Sequence, residues 1–91
     1  IKTFKHKGLK LFFETGSTRG IQPEHSNRIQ RILTLLNRAS TIQDMGLPGM
    51  RLHEYQGNRK GTWSVNVSGN YRITFKFVEG DAYDINYEDP H

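Results

Sequence analysis

Of the residues able to move protons or hold a phosphate, the most telling lie in the second half of this sequence. His53 offers an imidazole, a group that titrates near about 6.5 and can therefore take or give a proton close to neutrality. Arg72 offers a guanidinium, whose planar fork can hold a phosphate through two parallel hydrogen bonds. Asp89 and His91 add a carboxylate and a second imidazole at the end of the chain, where position alone reads as a fraying terminus. Plainer readings stand beside these: His53 as a surface histidine without a role, and Arg72 as the structural partner of Glu88. His53, Asp89 and His91 are metal-ligand types but lack a ligand spacing motif, so no metal and no cofactor is assigned. The chain has no Cys, which excludes a disulfide framework, an iron–sulfur centre, a thiolate zinc site and a Cys nucleophile.

Charge is segregated along the chain. Residues 1–78 hold all thirteen Lys and Arg against four acids, a net of +9, whereas residues 79–91 hold five acids and no Lys or Arg. A basic body attracts a polyanion such as nucleic acid through counterion release, or an acidic protein through complementary potential. Ordinary solubility is the simpler use of the same charge. A chain of 91 residues has room for a single domain over 1–91 and no second core, and its 11% aromatic content argues for packing over disorder. Mean hydropathy is −0.72. No apolar run nears the length of a spanning helix, and the opening Ile1–Lys7 lacks a secretory pattern. The expectation is a cytoplasmic protein without a membrane partner.

The elements that must position these side chains are legible as a change of period. After an extended start, Leu9, Phe12 and Phe13 fall at helical spacing with their apolar side toward the core and Gly16 as the stop. Pro23 opens a second helix where its missing N–H costs nothing, and Ile29, Ile32, Leu33, Leu36 and Ala39 share one face. Arg28, Arg31 and Arg38 lie away from that stripe, which makes the outer face basic. From Arg51 onward the period is two. Trp63, Val65 and Val67 alternate with polar residues, as do Tyr71, Ile73, Phe75 and Phe77, and then Tyr83, Ile85 and Tyr87. Arg51 to Tyr55 reads as a further strand with Leu52 and His53 on opposite faces.

Register follows from the requirement that apolar neighbours share a face. Three-residue loops, Ser68-Gly69-Asn70 and Glu79-Gly80-Asp81, set Val67 against Tyr71, Val65 against Ile73, Trp63 against Phe75, Phe77 against Tyr83, Phe75 against Ile85 and Ile73 against Tyr87. Asn70 takes the left-handed position that such a loop needs. Lys76 then faces Asp84, Thr74 faces Asn86, and Arg72 lies between Asn66 and Glu88. The result is an α+β fold, two N-terminal helices on one face of a small, mainly antiparallel sheet whose other face is open and polar.

Four blocks carry a resemblance: Arg51-Leu52-His53-Glu54, Gly57-Asn58-Arg59-Lys60-Gly61-Thr62-Trp63-Ser64-Val65, Asn70-Tyr71-Arg72-Ile73-Thr74-Phe75, and Asn86-Tyr87-Glu88-Asp89-Pro90-His91. In this order and with these gaps they resemble the HigB toxins of bacterial toxin–antitoxin systems, within the RelE/ParE superfamily. The opening Ile1-Lys2-Thr3-Phe4-Lys5-His6-Lys7-Gly8-Leu9 is similar to that family too. The resemblance implies a toxin that enters the ribosomal A site and cuts translated messenger RNA without a metal, until a HigA-like antitoxin neutralises it. Operator DNA would be met only through the antitoxin.

Cleavage in such toxins is by the substrate's own 2′-hydroxyl, so the protein must take the 2′-proton, stabilise the phosphate's extra charge and protonate the leaving 5′-oxygen. The resemblance makes His53 and Arg72 the leading catalytic pair and adds Asp89 and His91 to the site. Gln56, Arg59, Lys60, Asn70 and Lys76 become candidates for RNA contact. Pro90 stands where the family often carries Tyr, and Gln56 where a Lys is common, which removes a phenol and a positive charge. His6 and His25 match no catalytic position and read as surface residues. Two other classes remain open: a protein-binding inhibitor like the gyrase-poisoning branch of the superfamily, and a nonenzymatic nucleic-acid-binding or co-repressor module.

Overall fold

A computed structural model describes residues 1–89 of the chain. Helix α1 (Lys7–Thr15) begins where the His6 Nδ1 accepts the Leu9 backbone N–H at 3.1 Å. It stops at Gly16, whose φ of 81° lets its N–H reach back to the Phe12 carbonyl at 2.8 Å. Leu9 is fully buried and Phe12 half-buried, but Phe13 is 40% exposed, contrary to the expected core position. Phe13 lies about 100° further round the helix than Phe12 and packs on Phe4 with ring centroids 5.5 Å apart. The loop after α1 folds back so closely that a Cβ on Gly8 would stand 2.5 Å from the Gly20 carbonyl oxygen, which requires glycine there.

Pro23 does open the second helical segment, first as a 3-10 turn, Pro23–His25, and then as α2 (Ser26–Arg38). Ile29, Ile32, Leu33 and Leu36 are buried, with Ala39 just beyond the end. The outer face is less basic than its sequence suggests. Arg28 donates to the Gly49 carbonyl at 2.7 Å and to the Asn66 carbonyl at 3.1 Å, so it staples the helix to a loop and a strand. A capped turn, Ile42–Met45, then carries the chain to the sheet, with Asp44 Oδ2 accepting the N–H groups of Ser40 and Thr41.

The sheet has the order β1 (His53–Glu54), β2 (Thr62–Ser68), β3 (Tyr71–Val78) and β4 (Asp81–Glu88), all antiparallel. β1 is two residues long, shorter than the five-residue run predicted, because Arg51 takes a left-handed φ of 52° just before it. The N-terminal segment lies along β4 at Phe4, bridging Ile85 in parallel.

Both hairpins differ from the predicted loops in one way. Each is a two-residue turn, Gly69-Asn70 and Glu79-Gly80, with the extra residue moved into a strand as a bulge. In β2 the bulge lies between Asn66 and Ser68, so Ser68, not Val67, faces Tyr71. Gly69, with φ 55°, takes the left-handed turn position assigned to Asn70. In β4 the extra residue is accommodated by Asp84 at φ 53°, so Lys76 faces Tyr83 and Phe77 faces Ala82. Ala82, fully buried, thus takes the inner place expected for Tyr83. Beyond each bulge the predicted pairs hold: Val65 with Ile73, Trp63 with Phe75, Ile73 with Tyr87, and Arg72 between Asn66 and Glu88.

The helices cover one sheet face, and Leu9, Ile29, Ile32, Leu33, Leu36, Val65, Ile73, Phe75 and Ile85 form the core between the layers. The other face is polar yet not wholly open, since Ser64 and Thr74 near its centre are 0% and 1% exposed. Among the described residues no helix is long and apolar enough to cross a membrane.

Candidate active site

Alternation through a short extended segment decides where His53 goes. Leu52 packs against the core, so the next side chain points to the opposite, polar face and His53 is exposed there. His53 pairs with Ser64 across the ladder, and its Nδ1 lies 3.3 Å from the Ser64 hydroxyl, with the donor set by the imidazole tautomer. Arg72, half-buried on β3, projects onto the same side. His53 and Arg72 line one open depression of about 570 Å³, together with Tyr55, Gln56, Asn58 and Arg59. Among the described residues no hydrogen bond or ion pair engages the Arg72 guanidinium.

Arg72 is therefore not the partner of Glu88, although the two face one another in register. Arg59 takes that carboxylate through both guanidinium arms, at 3.0 and 2.7 Å. Glu88 Oε2 also accepts from the Thr74 hydroxyl at 2.5 Å and the Asn86 amide at 3.3 Å. These bonds, Arg59 first, hold the Glu88 carboxyl below the usual carboxylate range against the opposing effect of burial, and the same pair raises Arg59. The Arg59 guanidinium also lies over the Tyr55 ring at 4.6 Å, and Tyr55 meets the His53 ring edge-on at 5.2 Å.

A second depression of about 350 Å³ adjoins the first and shares Asn58 and Arg59 with it. Lys5 and Lys76 stand in its wall beside Asp84 and Asn86. Lys5 is held there because its backbone N–H bonds to the Ile85 carbonyl at 2.8 Å. The Lys76–Asp84 contact is 4.0 Å between two exposed groups, which leaves the lysine free to respond to another anion.

Of the predicted site residues, His53, Gln56, Arg59 and Arg72 come together in one depression, and Lys76 lines its neighbour. Lys60 ends the turn Gly57–Arg59 and Asn70 sits at a hairpin tip, both exposed and lining neither depression. Asp89 follows β4 directly and is exposed. His91, with Pro90, lies outside the described residues. Tyr55 and Asn58 were missed. Tyr55 was within reach of the pattern, being two residues beyond His53 in an extended run and so on the same side. Asn58 belongs to a turn, and no periodicity marks it. Among the described residues no three His, Asp or Glu side chains are gathered as a metal site.

His6 and His25 are not the bare surface residues expected. His6 caps α1, and burial pushes its imidazole below the ordinary value of 6.5. His25 is 9% exposed, with Nδ1 at 2.6 Å from the Tyr87 hydroxyl and its ring 4.8 Å from that of Tyr71. Tyr71 and Tyr87 are stacked at 5.1 Å. Both histidines lie on the helix side of the sheet, away from the depression.

With this geometry in place, the comparisons are specific. Residues 2–91 match the family described as RelE-like toxin of type II toxin–antitoxin system HigB. The chain is 47% identical over 91 residues to a protein of Proteus vulgaris named Endoribonuclease HigB, which covers 100% of this chain and 99% of that one. It is 36% identical over 90 residues to Toxin HigB-1 of Vibrio cholerae serotype O1, which covers 97% and 94% respectively.

Proposed function

This chain belongs to the HigB-like toxin family of type II toxin–antitoxin systems, an endoribonuclease with an antitoxin as its partner, and we propose that it cuts translated messenger RNA on the ribosome with His53 and Arg72. The observation that carries the site is their convergence on one open depression on the polar side of the sheet. The 2′-oxygen of the nucleotide before the cut attacks the phosphorus and the P–O5′ bond breaks. The 2′-proton leaves to a base, and the 5′-oxygen regains a proton. Arg72 lies across the non-bridging phosphate oxygens, where its charge is worth most as the phosphorus gains negative charge. His53 performs one proton transfer, and the other falls to Asp89 or His91. No metal is needed for this scheme, because every proton and charge is handled by a side chain.

RNA approaches a surface whose charges are arranged for it. Gln56 and Asn58 offer neutral donors and acceptors beside the scissile linkage, while Lys5 and Lys76 carry the backbone past the adjoining depression. Lys60 and Asn70, farther out, meet the ribosome or the flanking nucleotides. Residence in the cytoplasm, where ribosomes and antitoxin are found, completes the reading.

The test is to map transcript 5′ ends after brief induction in growing cells. Cuts confined to translated frames, absent with His53→Ala and Arg72→Ala while antitoxin binding persists, are the expected result. Intact transcripts accompanied by DNA-damage signalling would instead place the protein with gyrase poisons. Unchanged cutting by both variants would remove these two residues from the site.

A further inference from the structure

His53 is an exposed side chain on a two-residue edge strand, a poor anchor for a group that must meet one proton in one geometry. Two contacts orient its ring: the Ser64 hydroxyl on Nδ1 and the edge-on ring of Tyr55, 5.2 Å away at 70°. Tyr55 is itself covered by the Arg59 guanidinium at 4.6 Å. Arg59 is kept over that ring by Glu88, and Glu88 is fixed by Thr74, which is 1% exposed in the centre of the sheet. A line of contacts thus runs from the rigid sheet to its edge, Thr74 to Glu88 to Arg59 to Tyr55 to His53. Its charges also suit this role. A guanidinium forked onto a carboxylate has little left to offer a phosphate, whereas Arg72 is unengaged among the described residues.

We propose that Arg59 is a positioning residue: pinned by Glu88, it holds Tyr55 against His53 and so sets the orientation of the imidazole for proton transfer. The inference rests on the reading of His53 as a proton-transfer group, and it departs from the view of Arg59 as an RNA contact.

The experiment combines single-turnover cleavage on programmed ribosomes with NMR of the His53 ring protons in the free protein. Arg59→Met, Glu88→Gln and Tyr55→Leu should each lower the maximal rate by about tenfold to a hundredfold, the scale expected when a reacting group is misplaced by about 1 Å. The concentration of toxin needed for half-maximal rate should change little. Arg59→Lys and Tyr55→Phe, which keep the charge or the ring, should recover part of the rate. In the spectra, the His53 ring signals of Arg59→Met and Glu88→Gln should move toward those of Tyr55→Leu, where the ring-current contribution is gone. A weaker half-saturation with an unchanged maximal rate in Arg59→Met would make Arg59 a phosphate contact and overturn the proposal. So would His53 signals identical to those of the parent in that variant. If Arg59→Met does not fold, Glu88→Gln and Arg59→Lys decide by the same readouts. Failure of the parent to cleave would sink the reading of the site, yet the ring signals would still decide whether Arg59 positions His53.

Discussion

Two clusters built from the same kinds of residue occupy opposite sides of the sheet, and adjacent residues of β4 feed them. Tyr87 turns inward to His25 and Tyr71 beneath the helical layer, while Glu88 turns outward to Arg59, Tyr55 and the His53 edge. The inner cluster covers its imidazole: His25 is 9% exposed, its Nδ1 is committed to a phenol, and two half-buried tyrosines stack on each other. The outer cluster lines an open depression together with an arginine that no described partner engages. A histidine beside a tyrosine therefore says little by itself. What separates structure from chemistry is whether solvent and an uncommitted cation reach the ring.

The sharpest way to break this contrast is to remove the outer groups. His53→Ala or Arg72→Ala should reduce cleavage by at least about a hundredfold, from lost acid–base and electrostatic stabilisation, while stability moves by no more than about 0.5 kcal/mol at exposed His53 and by about 1 kcal/mol at half-buried Arg72. Cleavage assays alongside urea unfolding check both halves. The mirror experiment is His25→Ala. Removing the imidazole that the Tyr87 hydroxyl meets at 2.6 Å should cost about 1 to 3 kcal/mol and leave the rate per folded molecule unchanged. A loss of rate without loss of stability would mean that the two faces are not separate.

Burial lowers the folded-state value of His6 below 6.5, so the unfolded chain binds the proton more readily and stability rises with pH through that interval. Protonation also removes the Nδ1 acceptor that caps α1, which acts in the same direction. Stability should fall as pH drops below 6.5, by about 1 kcal/mol if the cap is lost, and His6→Asn, which caps at any pH, should flatten that slope in thermal melts. Glu88 supplies the outer counterpart. Its folded value lies below the ordinary 4.5, so its contribution is full above 4.5 and fades as pH falls through the lower folded value. Glu88→Gln should flatten the acid limb there and leave the His6 interval unchanged.

The smallest effect is expected in the adjoining depression. Lys5→Ala and Lys76→Ala should weaken RNA or ribosome engagement modestly, each reducing the salt slope of binding by about 0.7 if it meets one single-strand phosphate. A slope unchanged in both variants would remove that depression from the RNA path.

Much of this was written in the local pattern. Periodicity assigned two helices and the strands, and alternation placed His53 and Arg72 on the polar face, because side-chain direction in regular backbone depends only on neighbours along the chain. The same rule explains why the central register was correct from Trp63 to Asn66 on β2 and from Arg72 to Thr74 on β3. Bulges were invisible to it. A residue moved from a turn into a strand leaves composition and alternation almost unchanged, yet it exchanges Tyr83 for Ala82 in the core.

The roles of charged and ring-bearing side chains were decided differently. Sequence alone established a basic chain, an apolar sheet face and the presence of an imidazole and a guanidinium on the other. Only the folded arrangement determined that Glu88 is taken by Arg59 and not by Arg72, that Arg28 staples a loop, and that His25 is sealed beneath a helical layer. Each of those outcomes is a competition between partners distant in sequence. It is settled by reach, angle and burial in three dimensions, none of which a one-dimensional period encodes.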